Sequence, residues 1–228
     1  MNHALVLDVD DTLYLERDYV HSGFLSVGES VHAELGLSGF GERAWEEFQA
    51  GRRGDIFDRC LISFDVEPEP SVIRRLVEVY RDHEPTIGLL ADAAVFIGDA
   101  RATGCPLAVI TDGPVQSQRA KVHALGLSQI AAPVVLTSEL GPDAGKPSPV
   151  AFRLVQRELG IEAERLVYVA DNPAKDFAAP AELGWRTVRV RRHLSLHVDV
   201  PSGPDVELEV EDLHGLLQLL ARRRQVRA

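Results

Sequence analysis

Short runs of apolar residues alternate with longer amphipathic stretches along most of the chain. The runs are rich in Leu and Val, as buried parallel strands are, and they cover residues 3–9, 106–110, 133–137, 166–170 and 186–190. Helical patterns separate the later runs at residues 114–125, 148–159 and 174–183, and each ends near a glycine, which readily adopts the left-handed C-cap conformation. Strands and helices alternating at this spacing predict right-handed crossovers and a parallel sheet covered on both faces.

Residues 15–85 interrupt this alternation. They show no strand pattern but four amphipathic stretches, at residues 18–35, 41–49, 55–64 and 70–83. We therefore predict an α/β protein with a Rossmann-like parallel sheet core, formed by residues 1–14 and 86–228, and an inserted α-helical domain at residues 15–85. A helix at 89–103 leads back into the sheet, and a last strand-like segment at 206–210 precedes a helix at 212–222.

Composition and charge limit the partners and the cellular compartment that we expect for this protein. The chain has 228 residues and a formal net charge of −11, which argues against nucleic acid as the main partner because phosphates need clustered cations. Its two cysteines suit a reducing compartment. Asp8 and Asp10 break the first apolar run too early for a signal peptide, and no later run is long enough to span a membrane. We expect a cytoplasmic monomer or homodimer without a membrane partner.

Polar residues cluster where the predicted strands end. Ligands of open parallel sheets bind at the carboxyl ends of the strands. The residues at these ends are Asp8, Asp10, Asp11 and Thr12 after the first run, Thr111, Asp112 and Gly113 after the second, Lys146 before the helix at 148, and Asp171, Asn172 and Asp176 after the fourth. Their convergence predicts a site made of carboxylates, one hydroxyl and one ammonium.

The residue types at this edge indicate the chemistry. Asp8 and Asp10 with Asp171 form an all-oxygen site, which suits Mg²⁺ better than zinc. Thr111, Lys146 and the backbone N–H groups near Gly113 form a pocket for an anion. A carboxylate nucleophile, a metal and an anion pocket are what phosphoryl transfer through an aspartyl-phosphate requires.

Four segments, DVDDTLY, ITDG, GKPSP and VADNPAKD, occur in this order and resemble the four motifs of the haloacid dehalogenase (HAD) superfamily. The inserted helical block resembles that family's small α-helical cap. The resemblance implies that Asp8 is the nucleophile and that Asp10 protonates the leaving oxygen and then activates water. Thr12 would support the geometry of this loop.

The same resemblance implies the ligands. Thr111 and Lys146 would bind the transferring phosphoryl group, with Asp112 and Gly113 beside them. Mg²⁺ would be held by Asp8, the main-chain carbonyl of Asp10, and Asp171. Asp176 would orient Lys146 or metal-bound water.

Two branches of the family fit poorly. The dehalogenases lack an acid/base Asp two residues after the nucleophile, whereas this chain has Asp10. The phosphonate-cleaving relatives need a cap lysine, and residues 15–84 contain no lysine. The leading hypothesis is a Mg²⁺-dependent phosphatase for a small phosphorylated metabolite, with a sugar phosphate favoured. The alternatives are a phosphosugar mutase of the same fold and a catalytically idle binding subunit.

Two further expectations concern individual residues. Asp11 is interpreted as a turn or cap residue without a chemical role. The cap is expected to select the substrate by covering the active edge, and Arg17, Arg52 and Arg53 are its candidate contacts, although solvated surface charge explains them equally well.

Overall fold

The computed structural model describes residues 3–225, and the side chains of residues 3–220. Within this range the chain forms a six-stranded sheet in which every neighbouring pair is parallel. The strands are β1 (Ala4–Leu7), β2 (Leu107–Thr111), β3 (Val134–Leu136), β4 (Leu166–Ala170), β5 (Arg186–Val190) and β6 (Leu208–Val210), in the spatial order β3-β2-β1-β4-β5-β6. The predicted α/β class is confirmed.

Five helices lie between β1 and β2, so the predicted helical insertion is also confirmed. They are α1 (Glu16–Leu35), α2 (Phe40–Gln49), α3 (Ile56–Ser63), α4 (Pro70–Asp82) and α5 (Ala91–Ala102). The helices after β2 are α6 (Val115–Ala124), α7 (Val150–Leu159), α8 (Ala178–Glu182) and α9 (Leu216–Gln225). None of the helices in residues 3–225 has the length and apolar character needed to cross a membrane.

The chain divides into two compact units, each with its own apolar core. The core unit comprises the residues up to Glu16 and those from Gly88 onward, and the helical unit comprises Arg17–Ile87. Val6, Ile110 and Phe152 belong to the buried cluster around the central strands of the core unit. The helical unit is built around a second cluster of aromatic and aliphatic residues, which includes Phe24 and Phe40.

The sequence misplaces the start of two helices. α8 begins at Ala178 rather than at 174, so Asp176 lies in a turn and not in the first turn of a helix. The carboxylate of Asp176 accepts a bond from the Asn172 N–H, and the Asn172 side chain accepts one from the Ala174 N–H. Such side-chain bonds compete with the helical ladder.

α7 begins at Val150 with Pro149 as its N-cap, two residues after the predicted start at 148. The Ser148 N–H donates to the carbonyl of Gly145 at 2.9 Å, which closes a turn before the helix. The loop that carries Lys146 is therefore held separately from the helix that follows.

Candidate active site

The candidate site is built at the carboxyl ends of β1, β2 and β4. Each apolar strand passes directly into a buried polar residue: Asp8 follows β1, Thr111 ends β2, and Asp171 follows β4. The Asp8 N–H donates to the carbonyl of Val169 in β4 at 2.9 Å, which extends the sheet pairing up to the site. The strand pairing therefore brings together residues far apart in sequence.

Lys146 lies at the centre of this group. Its side chain is completely buried, and Nζ donates to Asp8 Oδ1 at 2.5 Å, to Asp176 Oδ1 at 2.8 Å and to the Tyr168 hydroxyl at 2.9 Å. Burial alone would lower the pKa of Lys146, but Asp176 and Asp8 outweigh it and raise that pKa well above its usual value. Lys146 therefore carries a fixed positive charge between two carboxylates.

Three carboxylates meet next to this lysine. One oxygen from each of Asp8, Asp171 and Asp176 lies within 4.8 Å of the others, and all three side chains are buried. Burial, followed by repulsion from Asp8 and Asp176, raises the pKa of Asp171 to about 10, and burial raises that of Asp8 to about 6 against the opposing effect of Lys146.

The donor set suits a hard divalent cation. Asp171 Oδ2 is buried and has no hydrogen-bond partner among the residues that the structure describes. An uncompensated buried carboxylate oxygen is costly, and a cation with oxygen ligands removes that cost. Asp8 and Asp171, both predicted ligands of Mg²⁺, contribute to this group.

Asp10 points elsewhere. Its Oδ1 accepts a bond from Lys121 Nζ at 2.7 Å and another from the Tyr14 hydroxyl, and its Oδ2 faces Gln118 Nε2 at 3.4 Å. Burial would raise the pKa of Asp10, but Lys121 and these hydrogen bonds lower it. These contacts hold the Asp10 carboxylate outside the cluster of Asp8, Asp171 and Asp176, and the ligand predicted from Asp10, its main-chain carbonyl, stays a prediction.

Gln118 and Lys121 contact residues of the candidate site, and the sequence reasoning missed both of them. They lie three positions apart in α6, the helix that follows ITDG, and this spacing places both side chains on one face of α6. That spacing is the signal that could have found them. Both side chains are buried although they are polar.

Thr111 and Gly113 contact the same glutamine. The Thr111 hydroxyl donates to Gln118 Oε1 at 2.6 Å. Gly113 has a φ of 150°, and a Cβ there would lie 2.6 Å from Gln118 Nε2. Only glycine fits this close approach without moving the side chain of Gln118.

Asp112, a predicted substrate contact, is engaged by the protein itself. Its carboxylate accepts bonds from the Thr137 hydroxyl at 2.5 Å, from Lys175 Nζ at 3.1 Å and from the Lys146 N–H at 3.3 Å. Lys175 and Thr137 outweigh burial and lower the pKa of Asp112. These contacts hold the loops that carry Thr111 and Lys146 together.

A buried brace connects the site to the segment after β5, which we call the brace segment (residues 191–200). Asp11, with φ 53°, accepts bonds from the Glu16 N–H at 2.9 Å and the Leu196 N–H at 2.7 Å. The guanidinium of Arg192 donates to the Thr12 carbonyl at 2.7 Å. Asp11 is a turn residue as predicted, and its contact with the brace segment was not foreseen.

Two further bonds complete the loops. The Thr12 hydroxyl faces Asp8 Oδ2 at 3.4 Å, next to the predicted nucleophile. Arg189, fully buried in β5, donates from Nε to the main-chain carbonyl of Asp171 at 3.0 Å. The first bond holds the loop after β1, and the second holds the loop after β4.

The three candidate substrate arginines lie in the helical unit, and two of them contact its aromatic residues. The guanidinium of Arg17 lies 5.3 Å from the centre of the Trp45 ring, and that of Arg53 lies 3.8 Å from the centre of the Phe48 ring. Arg52 is exposed, with Glu47 3.9 Å away. Their contact with a substrate stays a prediction.

Comparison with known proteins gives consistent matches. The model of the family "haloacid dehalogenase-like hydrolase" matches residues 3–184. The phosphoserine phosphatase of Thermus thermophilus is 34% identical over 71% of this chain, and the match spans 62% of that relative's length. The glyceraldehyde 3-phosphate phosphatase of Methanocaldococcus jannaschii is 29% identical over 83% of this chain and 85% of its own. The magnesium-bound HAD-hydrolase YfnB of Bacillus subtilis has the same fold, with a TM-score of 0.66 at 16% identity over 96% of this chain and 98% of its own.

Proposed function

The chain belongs to the haloacid dehalogenase-like hydrolases, and on that premise we propose that it is a Mg²⁺-dependent phosphatase that hydrolyses a small phosphomonoester through an aspartyl-phosphate. Membership confirms the predicted family and hydrolase class, and its relatives include phosphatases named for phosphoserine and for glyceraldehyde 3-phosphate. The observation that carries the proposal is the pairing of buried Asp8 with Lys146, beside a carboxylate oxygen of Asp171 that has no hydrogen-bond partner within the part of the chain that the structure describes.

Asp8 is the nucleophile in this proposal. A carboxylate oxygen of Asp8 attacks phosphorus, so that a new O–P bond forms while the bond from phosphorus to the ester oxygen breaks. Lys146 stays protonated among its carboxylate neighbours and stabilises the negative charge of the phosphoryl oxygens. Thr111, at the end of β2, is the second proposed contact for those oxygens, and its hydroxyl turns from Gln118 Oε1 to a phosphoryl oxygen when the substrate binds.

Asp10 carries the proton in both steps. Lys121 and the neighbouring hydrogen bonds favour the carboxylate form of Asp10, so Asp10 first takes up a proton from solvent. It then gives this proton to the ester oxygen, which leaves as an alcohol, and Asp10 becomes a carboxylate again. That carboxylate then takes a proton from the water whose oxygen attacks phosphorus. The bond between phosphorus and the Asp8 oxygen breaks, inorganic phosphate is released and the Asp8 carboxylate is regenerated.

Asp8 and Asp171, with the main-chain carbonyl of Asp10, are the residues that would hold Mg²⁺. When bound, the ion supplies positive charge that offsets the carboxylates and the phosphoryl oxygens. Asp176 supports Lys146 through its 2.8 Å bond to Nζ. The buried Asp171 oxygen has no hydrogen-bond partner among the described residues, which supports the fit of this donor set to such an ion.

Phosphate release from a panel of phosphorylated metabolites, with Mg²⁺ and with EDTA, tests the proposal. The panel includes sugar phosphates, the favoured class, together with phosphoserine, glyceraldehyde 3-phosphate and p-nitrophenyl phosphate. Wild type should release phosphate with Mg²⁺ and lose this activity in EDTA. Asp8→Asn should lower turnover by more than about a thousandfold, since it removes the nucleophile.

Asp99→Asn is the matched control, because it makes the same chemical change at an exposed position of α5. It should behave as wild type. Retention of activity in Asp8→Asn, or no phosphate release from any ester by wild type, would refute the proposal. Isomerisation of a sugar phosphate without phosphate release would identify a mutase instead.

A further inference from the structure

Lys121 and Gln118 hold the carboxylate of Asp10 from one side of α6. Lys121 Nζ donates to Oδ1 at 2.7 Å, and the Lys121 side chain is only 4% exposed. Gln118 Nε2 lies 3.4 Å from Oδ2. Both oxygens of this carboxylate are therefore contacted by one helix, which begins just beyond β2.

We propose that Lys121 is a positioning residue that aims Asp10 at the ester oxygen, and that the site is thereby suited to alkyl phosphates, whose leaving alcohol needs a proton. The inference rests on the proposed function. Proton transfer requires the carboxyl group to lie within hydrogen-bond reach of the ester oxygen. Asp10 lies in a loop, and the bonds from α6 fix which way its carboxyl group points.

Stability alone does not explain a buried lysine here. Burying an ammonium and a carboxylate costs desolvation free energy, and well-packed apolar residues often replace such a pair without loss of stability. Lys121 is instead directed at Asp10, a carboxylate of the site that lies outside the cluster of Asp8, Asp171 and Asp176. A role in orienting that carboxylate accounts for its position.

Gln118 connects this carboxylate to the phosphoryl pocket. Its Oε1 accepts the bond from the Thr111 hydroxyl at 2.6 Å, while its Nε2 faces Asp10. One amide group thus sets the spacing between the residue proposed to bind the phosphoryl group and the residue proposed to protonate the ester oxygen.

The choice of leaving group separates positioning from general support of the site. In the first step the Asp8–phosphorus bond forms, the phosphorus–ester bond breaks and the ester oxygen takes the Asp10 proton. An alkoxide is too basic to leave without that proton, whereas p-nitrophenolate leaves readily without it. The ratio kcat/KM reports only the steps up to release of the alcohol, so the later action of Asp10 as a base does not affect this ratio.

The experiment compares wild type and Lys121→Met on two esters at saturating Mg²⁺. One is p-nitrophenyl phosphate, and the other is the alkyl ester in the metabolite panel that wild type cleaves fastest. We expect kcat/KM for the alkyl ester to fall by about tenfold to a hundredfold, and that for p-nitrophenyl phosphate by less than about threefold. Lys121→Arg, which keeps the charge and the donors, should recover most of the loss on the alkyl ester.

Arg119→Met is the matched control on the same helix. Arg119 has a side chain that is 69% exposed and pairs with Glu139, so removing its charge leaves Asp10 untouched. Both esters should react as with wild type. If Lys121→Met does not fold, as judged by thermal unfolding, Tyr14→Phe removes the other side-chain bond to Asp10 Oδ1 and should show the same selective loss.

Equal losses on the two esters, or no loss on either, would overturn the inference while leaving the phosphatase proposal intact. Failure of wild type to hydrolyse any ester would refute the proposed function and this inference with it. A selective loss on the alkyl ester, recovered by Lys121→Arg, would support both.

Discussion

Replacing Asp171 by asparagine should make the metal-free protein more stable, although it removes a proposed metal ligand. Burial and the nearby carboxylates of Asp8 and Asp176 raise the pKa of Asp171 to about 10. At pH 7 this carboxyl group is therefore protonated in the folded, metal-free protein and ionised in the unfolded chain. Folding has to take up that proton, which lowers stability.

The size of the effect follows from the pKa difference. Protonating a carboxyl group with an unfolded pKa of 3.8 at pH 7 costs about 4 kcal/mol, at about 1.4 kcal/mol for each pH unit. Asparagine has nearly the same shape and no charge, so this cost disappears. Because relaxation around the site reduces the full value, we expect the free energy of unfolding of Asp171→Asn in EDTA to exceed that of wild type by about 2–4 kcal/mol.

The sign of the pH dependence is also fixed. The folded pKa is raised, so this part of the stability is present at low pH and is lost as pH rises from about 4 to about 10. Asp8, with a pKa of about 6, contributes to the decline only at the acidic end. Between pH 6 and pH 9, wild type in EDTA should lose stability more steeply than Asp171→Asn.

Urea unfolding in EDTA at pH 6, 7, 8 and 9, followed by circular dichroism, measures these differences. Thermal unfolding with increasing Mg²⁺ then shows whether the ion stabilises wild type and not the variant. Asp99→Asn again serves as the control with an exposed carboxylate. A variant less stable than wild type in EDTA, or one stabilised by Mg²⁺ as strongly as wild type, would refute the reasoning.

Two further predictions follow from contacts around the site. Asp92→Asn should lower the free energy of unfolding by about 3 kcal/mol at pH 7, since it leaves the buried Arg192, 2.8 Å from Asp92, without its charge partner. Burial alone would raise the pKa of Asp92, but bonds from Arg192 and the Leu213 N–H lower it, so the contribution of Asp92 to stability is present above about pH 4 and lost below that pH. Denaturant unfolding of wild type and Asp92→Asn at pH 7 and pH 3 checks this. An equal difference in stability at the two pH values would contradict it. Gly113→Ala should lower kcat/KM by at least about tenfold and the free energy of unfolding by about 1–3 kcal/mol. The added Cβ would lie 2.6 Å from Gln118 Nε2, and the φ of 150° strains any residue other than glycine. Phosphate release and thermal unfolding test this prediction, and a fully active variant would contradict it by showing that the Gln118 side chain moves without loss.

The sheet and the residues at its ends were predictable for a simple reason. Strands buried on both faces are continuous apolar runs, and the predicted bounds of β4 and β5 match the structure. Asp8, Thr111 and Asp171 follow such runs directly in the chain, so finding the strands also finds these residues. Lys146 is reached through its motif and not through a strand.

The contacts of α6 were not predictable in the same way. The buried residues of this helix are Ser117, Gln118 and Lys121, all polar, so the usual rule that the apolar face packs inward does not identify its inner face. The turn containing Asp176 was missed for a related reason. Its structure depends on side-chain bonds to the backbone that periodicity does not register.

The contacts of the brace segment determine when the site can be completed during synthesis of the chain. Loop residues proposed to carry the chemistry begin at Asp8, yet the Thr12 carbonyl is held by Arg192, 180 residues later, and Asp11 by the Leu196 N–H. A nascent chain leaves the ribosome from its N-terminus, so every motif residue up to Asp176 emerges before these two partners. During synthesis the loop of the proposed nucleophile therefore remains incomplete until the brace segment has emerged, and the proposed metal binding and turnover should begin only then.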